Sequence, residues 1–165
     1  MNNSINDFFL LGMKRDIPNI LPMDKGIVLN LGAGNQVIVD THPLQYETGW
    51  NAETDAIPFI DESVDGIHAY HFLEHIQNIH FLMSECQRVM KKGAVMNICV
   101  PYYKSNCAFQ DLDHKHYFTD TTFNNLLNNK YYNKFGITWC LEVVFQLIIG
   151  LQDKDICLLV QLRKN

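Results

Sequence analysis

The run Ile27-Val28-Leu29-Asn30-Leu31 stops at Gly32-Ala33-Gly34, and this junction limits the fold more than any other stretch. Apolar residues at four of five positions leave no polar face. The segment therefore reads as a strand buried on both sides, the habit of parallel sheets. Glycines on either side of Ala33 let the backbone turn sharply and approach a ligand closely. Val64 to Tyr70 is a second strand of this kind, and it runs straight into His71. In open α/β sheets, ligands sit beyond the carboxyl ends of the strands. The glycine bend and the His71 turn are therefore expected at one edge of one sheet.

The rest of the chain fills in that plan. Residues 1–24 read as an N-terminal helical segment, with Asp7 as a cap before Phe8-Phe9-Leu10-Leu11 and Pro18 and Pro22 ending the pattern. Val37 to Val39 is extended. Ile76, Ile79, Leu82, Met83, Cys86, Val89 and Met90 fall at helical spacing and predict a helix over 76–91, closed by Lys91, Lys92 and Gly93. Ala94 to Val100 is another buried strand, stopped by Pro101. A polar and aromatic loop, 101–118, lies on the substrate side, and Thr119 then caps a helix carrying Phe123, Leu126 and Leu127. Ile137 to Ile149 and Asp155 to Leu162 read as a terminal hairpin. The expected fold is α/β: one domain over 1–165, with a Rossmann-like, mostly parallel sheet and an antiparallel C-terminal hairpin. It is reduced in size, and the helix after the first strand is missing.

Composition narrows the classes. The formal charge of -5 gives no basic footprint, so stable binding to a nucleic-acid backbone is not expected. No apolar run has the length of a membrane span, and the N-terminus lacks a leader pattern. Five cysteines without a Cys-x-x-Cys pair read as free thiols of a reducing cytoplasm. Scattered as they are in the sequence, they make no case for a nucleophile or a metal site.

Several stretches resemble, in order, the short type 11-like branch of the class I S-adenosylmethionine-dependent methyltransferases. They are Asn30 to Asn35, Pro58 to Asp65, His71 to His75, Arg88 to Ala94 and Asp111 to Thr119. The likeness runs from residue 27 to about 128. It implies S-adenosylmethionine as cofactor, with S-adenosylhomocysteine as product. It places Gly32, Ala33, Gly34, Tyr70 and His71 around that cofactor, with His71 beside the sulfonium, and makes Glu53 the acid that accepts from the adenine amino group. A dinucleotide site would want a third glycine and a helix N-terminus for the pyrophosphate. Val37 occupies that glycine position and no helical pattern follows Gly34.

The ribose partner is Gln45 or Asp40. Motif order suggests Asp40. At about 3.3 Å per residue, however, the chain between Gly34 and Val37 is too short to return to the far edge of the sheet. Thr41 to Tyr46 is then the second strand, with Gln45 at its upper end, which favours Gln45. The resemblance also makes His71, Asp113 and His114 candidates to orient or deprotonate an oxygen or nitrogen acceptor on a small or nucleotide-like substrate. Two other readings remain: a non-catalytic S-adenosylmethionine-binding scaffold of the same fold, and a zinc hydrolase using His71-x-x-Glu74-His75. The latter needs a helix around the motif and a third ligand. A homo-oligomer is compatible with the sequence.

Overall fold

The computed structural model describes residues 26–34, 38, 40–151 and 155–165. The expected N-terminal segment 1–24, Asn35, Val37 and Val39 lie outside these. Six strands form one sheet in the order β2-β1-β3-β4-β6-β5. They are β1 (Val28–Leu31), β2 (His42–Leu44), β3 (Val64–Tyr70), β4 (Met90–Pro101), β5 (Leu141–Leu151) and β6 (Asp155–Lys164). β1 to β4 are mutually parallel, and the hairpin adds its last strand antiparallel to β4, inside β5. The α/β sheet with an antiparallel end is therefore present. None of the described residues between Gly32 and Thr41 is helical.

β2 pairs with β1 through Leu29↔His42 and Leu31↔Leu44, so the second strand is indeed the stretch just before Gln45. No strand separates β2 from β3 among the described residues. Ahead of Glu53, Asn51 closes a turn. Its side chain accepts from the Glu53 amide at 2.9 Å and its carbonyl from the Asp55 amide at 2.8 Å.

The helix α1 spans Ile79–Val89, shorter than the periodicity of 76–91 implies. Asn78 caps it by accepting from the Phe81 amide. It buries Ile79, Leu82, Met83, Cys86 and Val89 against one face of the sheet. Lys91, Lys92 and Gly93 do not close this helix; they already belong to β4. The reason is a register shift: Val64 pairs with Met90 but Gly66 pairs with Val95. The extra residues arch out at Gly93, with φ +80°, and Lys91 bridges to Asp65 at 2.7 Å. Asp65 also accepts from the Ile27 amide, and Lys91 holds its carboxyl below the usual range.

α2 (Thr122–Leu126) starts after Thr121 rather than Thr119. Thr119 instead joins Thr121 and Thr122 in a hydroxyl cluster. A further turn, α3 (Asn129–Tyr132), was not expected. Asn129 ties it to Trp139 through both backbone groups, which keeps 137–140 out of the hairpin.

The two faces of the sheet differ. One carries Leu29, Leu31, Ile67, Ile98, Val160 and their neighbours under α1, Phe118 and Phe123. The other carries a straight polar row across four strands, Asn30↔His68↔Asn97↔Gln161, and every member is buried. Gln161 donates to the Asn97 carbonyl oxygen at 2.8 Å. His68 Nδ1 lies 2.7 Å from the Tyr70 hydroxyl, and burial pushes the His68 imidazole down to about 4.

Candidate active site

The upper edge of the sheet begins at the glycine bend. Gly32 and Gly34 hold φ of +63° and +50°, which L side chains rarely adopt. At Gly32 an added Cβ would also lie 2.1 Å from Phe72 Cδ2, whereas nothing stands near Gly34. Ala33 is buried between them. The Gly32 amide donates to the Leu44 carbonyl at 2.8 Å, tying the bend to the end of β2.

Gln45 follows directly. Its Oε1 is shut away from solvent and accepts no hydrogen bond. A buried acceptor is costly to leave without a donor, and none of the described residues gives this atom one. Asp40, by contrast, lies before the N-terminal end of β2 and is exposed. The parallel register puts it at the opposite end of that strand from the glycine bend. Glu53 is also elsewhere in chemical terms. Its two carboxylate oxygens accept the amides of Gln77 at 2.6 Å and Asn78 at 2.8 Å, just ahead of α1. Both oxygens are thus engaged by backbone just ahead of the helix.

At the end of β3, Tyr70 is buried and His71 turns outward with φ +49°. A left-handed histidine is strained, and here its amide is fixed on the Cys99 carbonyl at 2.8 Å. Its Nδ1 lies 3.4 Å from Glu74 Oε1, a carboxylate that is 1% exposed and accepts no hydrogen bond among the described residues. Its Nε2 lies 3.8 Å from Cys99 Sγ and 4.0 Å from Cys157 Sγ. Hydrogen bonds with Cys157 and then Glu74 push the imidazole up to about 10. Cys157 is pushed down, first by a hydrogen bond from Cys99 and then by His71, while Cys99 is pushed up. The cysteines scattered in sequence are therefore not scattered in space: adjacent strands bring two of them to one histidine.

The loop 101–118 docks on the same turn. The amides of Lys115 and His116 donate to the Glu74 carbonyl, and Tyr103 donates to Phe118. His114 sits inside this junction. Its side chain is 6% exposed, its Nδ1 is 3.0 Å from the Ala108 carbonyl, and its ring meets His75 edge-on at 4.8 Å. It anchors the loop rather than opening on the crevice. Asp113 is exposed on the same loop. His75 and Glu74 lie with His114, so His71 and His75 do not share a helix face; the turn at 73–75 is a single 3₁₀ turn. That geometry removes the zinc-hydrolase reading.

Two other motifs prove to be one structural device. Arg88 donates to the carbonyls of Ile57 and Phe59 and to Asp61 Oδ1, and Glu85 both pairs with Arg88 and accepts from the Ile57 amide. The Pro58 turn is thus held by α1, away from the crevice.

Comparison with known proteins agrees with this architecture. Residues 35–98 match the family described as Methyltransferase domain. No curated protein sequence matches the chain. Among solved structures, one neighbour is the Haloferax volcanii complex of the Trm112 methyltransferase activator with a methyltransferase (14% identity, 88% of this chain and 85% of that one, TM-score 0.62). Another is a SAM-dependent methyltransferase from Methanosarcina mazei (15% identity, 88% and 95%, TM-score 0.61). A third is the [4+2]-cyclase SpnF (11% identity, 86% and 75%, TM-score 0.60). With its matched segment and its sheet, the chain has the fold of the class I, type 11-like S-adenosylmethionine-dependent methyltransferases, a family whose cofactor is S-adenosylmethionine.

Proposed function

We propose that the chain binds S-adenosylmethionine over the upper edge of β1, β2 and β3 and transfers its methyl group to an oxygen or nitrogen acceptor on a small or nucleotide-like substrate. The observation that carries this reading is the positive-φ bend of Gly32 and Gly34, tied to the end of β2 where the buried Oε1 of Gln45 has no donor among the described residues. A ribose hydroxyl is the donor such an acceptor lacks, and the side-chain-free bend suits close approach by an amino-acid tail. Ala33, Tyr70 and His71 border the same edge.

The sulfonium group, when bound, supplies an already activated methyl. What falls to the protein is placement. Holding an acceptor in line contributes about 7–11 kcal/mol, against about 3–5 kcal/mol from a general base. His71, whose imidazole is pushed up by Cys157 and Glu74, is better suited to donate a hydrogen bond than to act as a base. His114 positions the loop. Asp113, exposed on that loop, is the candidate to orient the acceptor. Phe109 and Tyr117 stack at 4.7 Å and stay half-exposed, an apolar platform for a planar substrate. A partner subunit could complete the acceptor site, as the activator complex of the Haloferax neighbour suggests.

A scaffold that binds the cofactor without transfer has one observation in its favour: an amide stands at position 45, and it accepts from one ribose hydroxyl less strongly than a carboxylate. Calorimetric titration with S-adenosylmethionine and S-adenosylhomocysteine tests the shared part. Gln45→Ala is expected to weaken both by roughly five- to ten-fold, the value of one hydrogen bond. Absence of binding by the unmodified chain sinks the proposal. Labelled methyl transfer to a panel of acceptors then separates enzyme from scaffold.

A further inference from the structure

We propose that Cys99, Cys157 and His71 form a binding site for a thiophilic divalent metal ion, zinc being the best fit, with Glu74 orienting the histidine. The site shares the His71 ring with the cofactor reading and otherwise uses atoms that reading does not.

The geometry carries the case. Cys99 on β4 and Cys157 on β6 lie on the same face of the sheet, two residues out of direct register, since Cys99 pairs with Leu159 and Cys157 with Pro101. The donor atoms Nε2, Sγ and Sγ all lie within 4.8 Å of one another. The two nitrogen–sulfur spans are 3.8 and 4.0 Å. Around a tetrahedral zinc, with Zn–S of about 2.3 Å and Zn–N of about 2.0 Å, that span is roughly 3.6 Å. Small side-chain movements close the difference.

Glu74 supplies what such sites need outside the ligands. A metal-bound histidine nearly always gives its second ring N–H to a carboxylate or carbonyl, which fixes its tautomer and raises its basicity. Glu74 Oε1 stands 3.4 Å from Nδ1, and this carboxylate, 1% exposed, accepts no hydrogen bond among the described residues. The same carboxylate also lies with the rings of His75 and His114, so it sits among three imidazoles, and His71 is the one that faces the two thiols. Binding releases the thiol protons and leaves two thiolates and one imidazole on the ion. With His71 half-exposed, a fourth position opens toward the crevice, the arrangement of Cys₂His sites that keep a water.

Rival uses of the same atoms fit less well. Diagonal neighbours across an antiparallel pair have Cα atoms about 7–8 Å apart, beyond the usual disulfide range. A nucleophilic thiolate must reach its substrate, yet Cys157 and Cys99 are only 2% and 8% exposed.

The test uses the full chain, prepared without chelator and then loaded with Zn²⁺ alone or Co²⁺ alone. We expect one equivalent of zinc by elemental analysis after gel filtration, and a thiolate-to-cobalt charge-transfer band in the near ultraviolet. Cys157→Ser and Cys99→Ser should each abolish the band and weaken zinc binding at least a hundred-fold. Glu74→Gln should weaken it roughly ten- to hundred-fold while keeping the band. Cys140→Ser, exposed and distant, should change nothing. Should the serine variants fail to fold, half-exposed His71→Ala serves in their place, together with protection of two thiols from alkylation by bound zinc in the unmodified chain. Sub-stoichiometric zinc with no cobalt band overturns the proposal. So does metal-independent, rapid alkylation of Cys157, which would assign the cluster to thiol chemistry. Cofactor affinity measured in parallel tells failure here apart from failure of the methyltransferase reading.

Discussion

Glu53 Oε2 accepts the backbone amide of Asn78 at 2.8 Å, while its other oxygen holds Gln77. The carboxylate therefore fixes the approach to α1, taking up the amide of Gln77 ahead of the helix and that of its cap residue Asn78. Glu53→Ala should lower unfolding free energy by about 1–2 kcal/mol, read from urea denaturation. The affinity for S-adenosylhomocysteine should change less than two-fold. A ten-fold loss of affinity at unchanged stability would return Glu53 to the purine.

The two bend glycines should respond differently to alanine. Gly32→Ala meets both a positive φ and Phe72, and about 3 kcal/mol or more of destabilisation is expected from strain plus overpacking. Gly34→Ala meets only the φ penalty of about 1–2 kcal/mol. It should stay folded, so any larger loss of cofactor affinity reports on the bend itself. Thermal melts with and without S-adenosylhomocysteine separate the two effects.

Arg88 spans α1, the Pro58 turn and Asp61 with one guanidinium. A lysine there keeps the charge and loses the fork. Arg88→Lys should cost about 2 kcal/mol and Arg88→Ala about 3 kcal/mol, seen as a lower urea midpoint at constant slope. Equal stability of all three proteins would show that the turn holds itself.

The imidazole of His68 gives the fold a pH limit. Its pKa falls from 6.5 in the unfolded chain to about 4 in the fold. Between those values the unfolded chain takes up a proton that the folded one refuses, so stability drops as pH falls. The loss approaches about 3 kcal/mol once pH nears 4. His68→Phe should flatten this part of the profile relative to the unmodified protein in unfolding curves at pH 7, 5.5 and 4.5. An unchanged difference between the two proteins across that range would exclude His68 as the cause.

The parallel half of the sheet was legible because β1 and β3 are short, mostly apolar and buried, and end in residues that turn. The position of β2 followed from chain length alone, since too few residues separate Gly34 from Val37 to cross the sheet. The helix end was not legible: Met90 fits both a helical stripe and a strand, and the choice was made by pairing with Val64 on a neighbouring strand. The site was legible in part. Gly32 and Gly34 announce themselves by type. The placements of Glu53, on two backbone amides, and of Asp40, at the other end of β2 from the bend, were not legible, because a carboxylate reads the same whether it holds backbone or awaits a ligand. The meeting of His71 with Cys99 and Cys157 left no local trace, since 86 residues separate His71 from Cys157 and only strand register joins them.

The buried line of amides and imidazole from Asn30 to Gln161 has one more effect. Sliding any of these four strands by a single residue would turn its polar member onto the oily side and put an aliphatic one in its place. An all-aliphatic sheet would tolerate such slips at little cost; this one discourages them at each of three junctions. The chain thus carries its own proofreading for strand alignment, in the layer beneath the cleft where misalignment would do most harm.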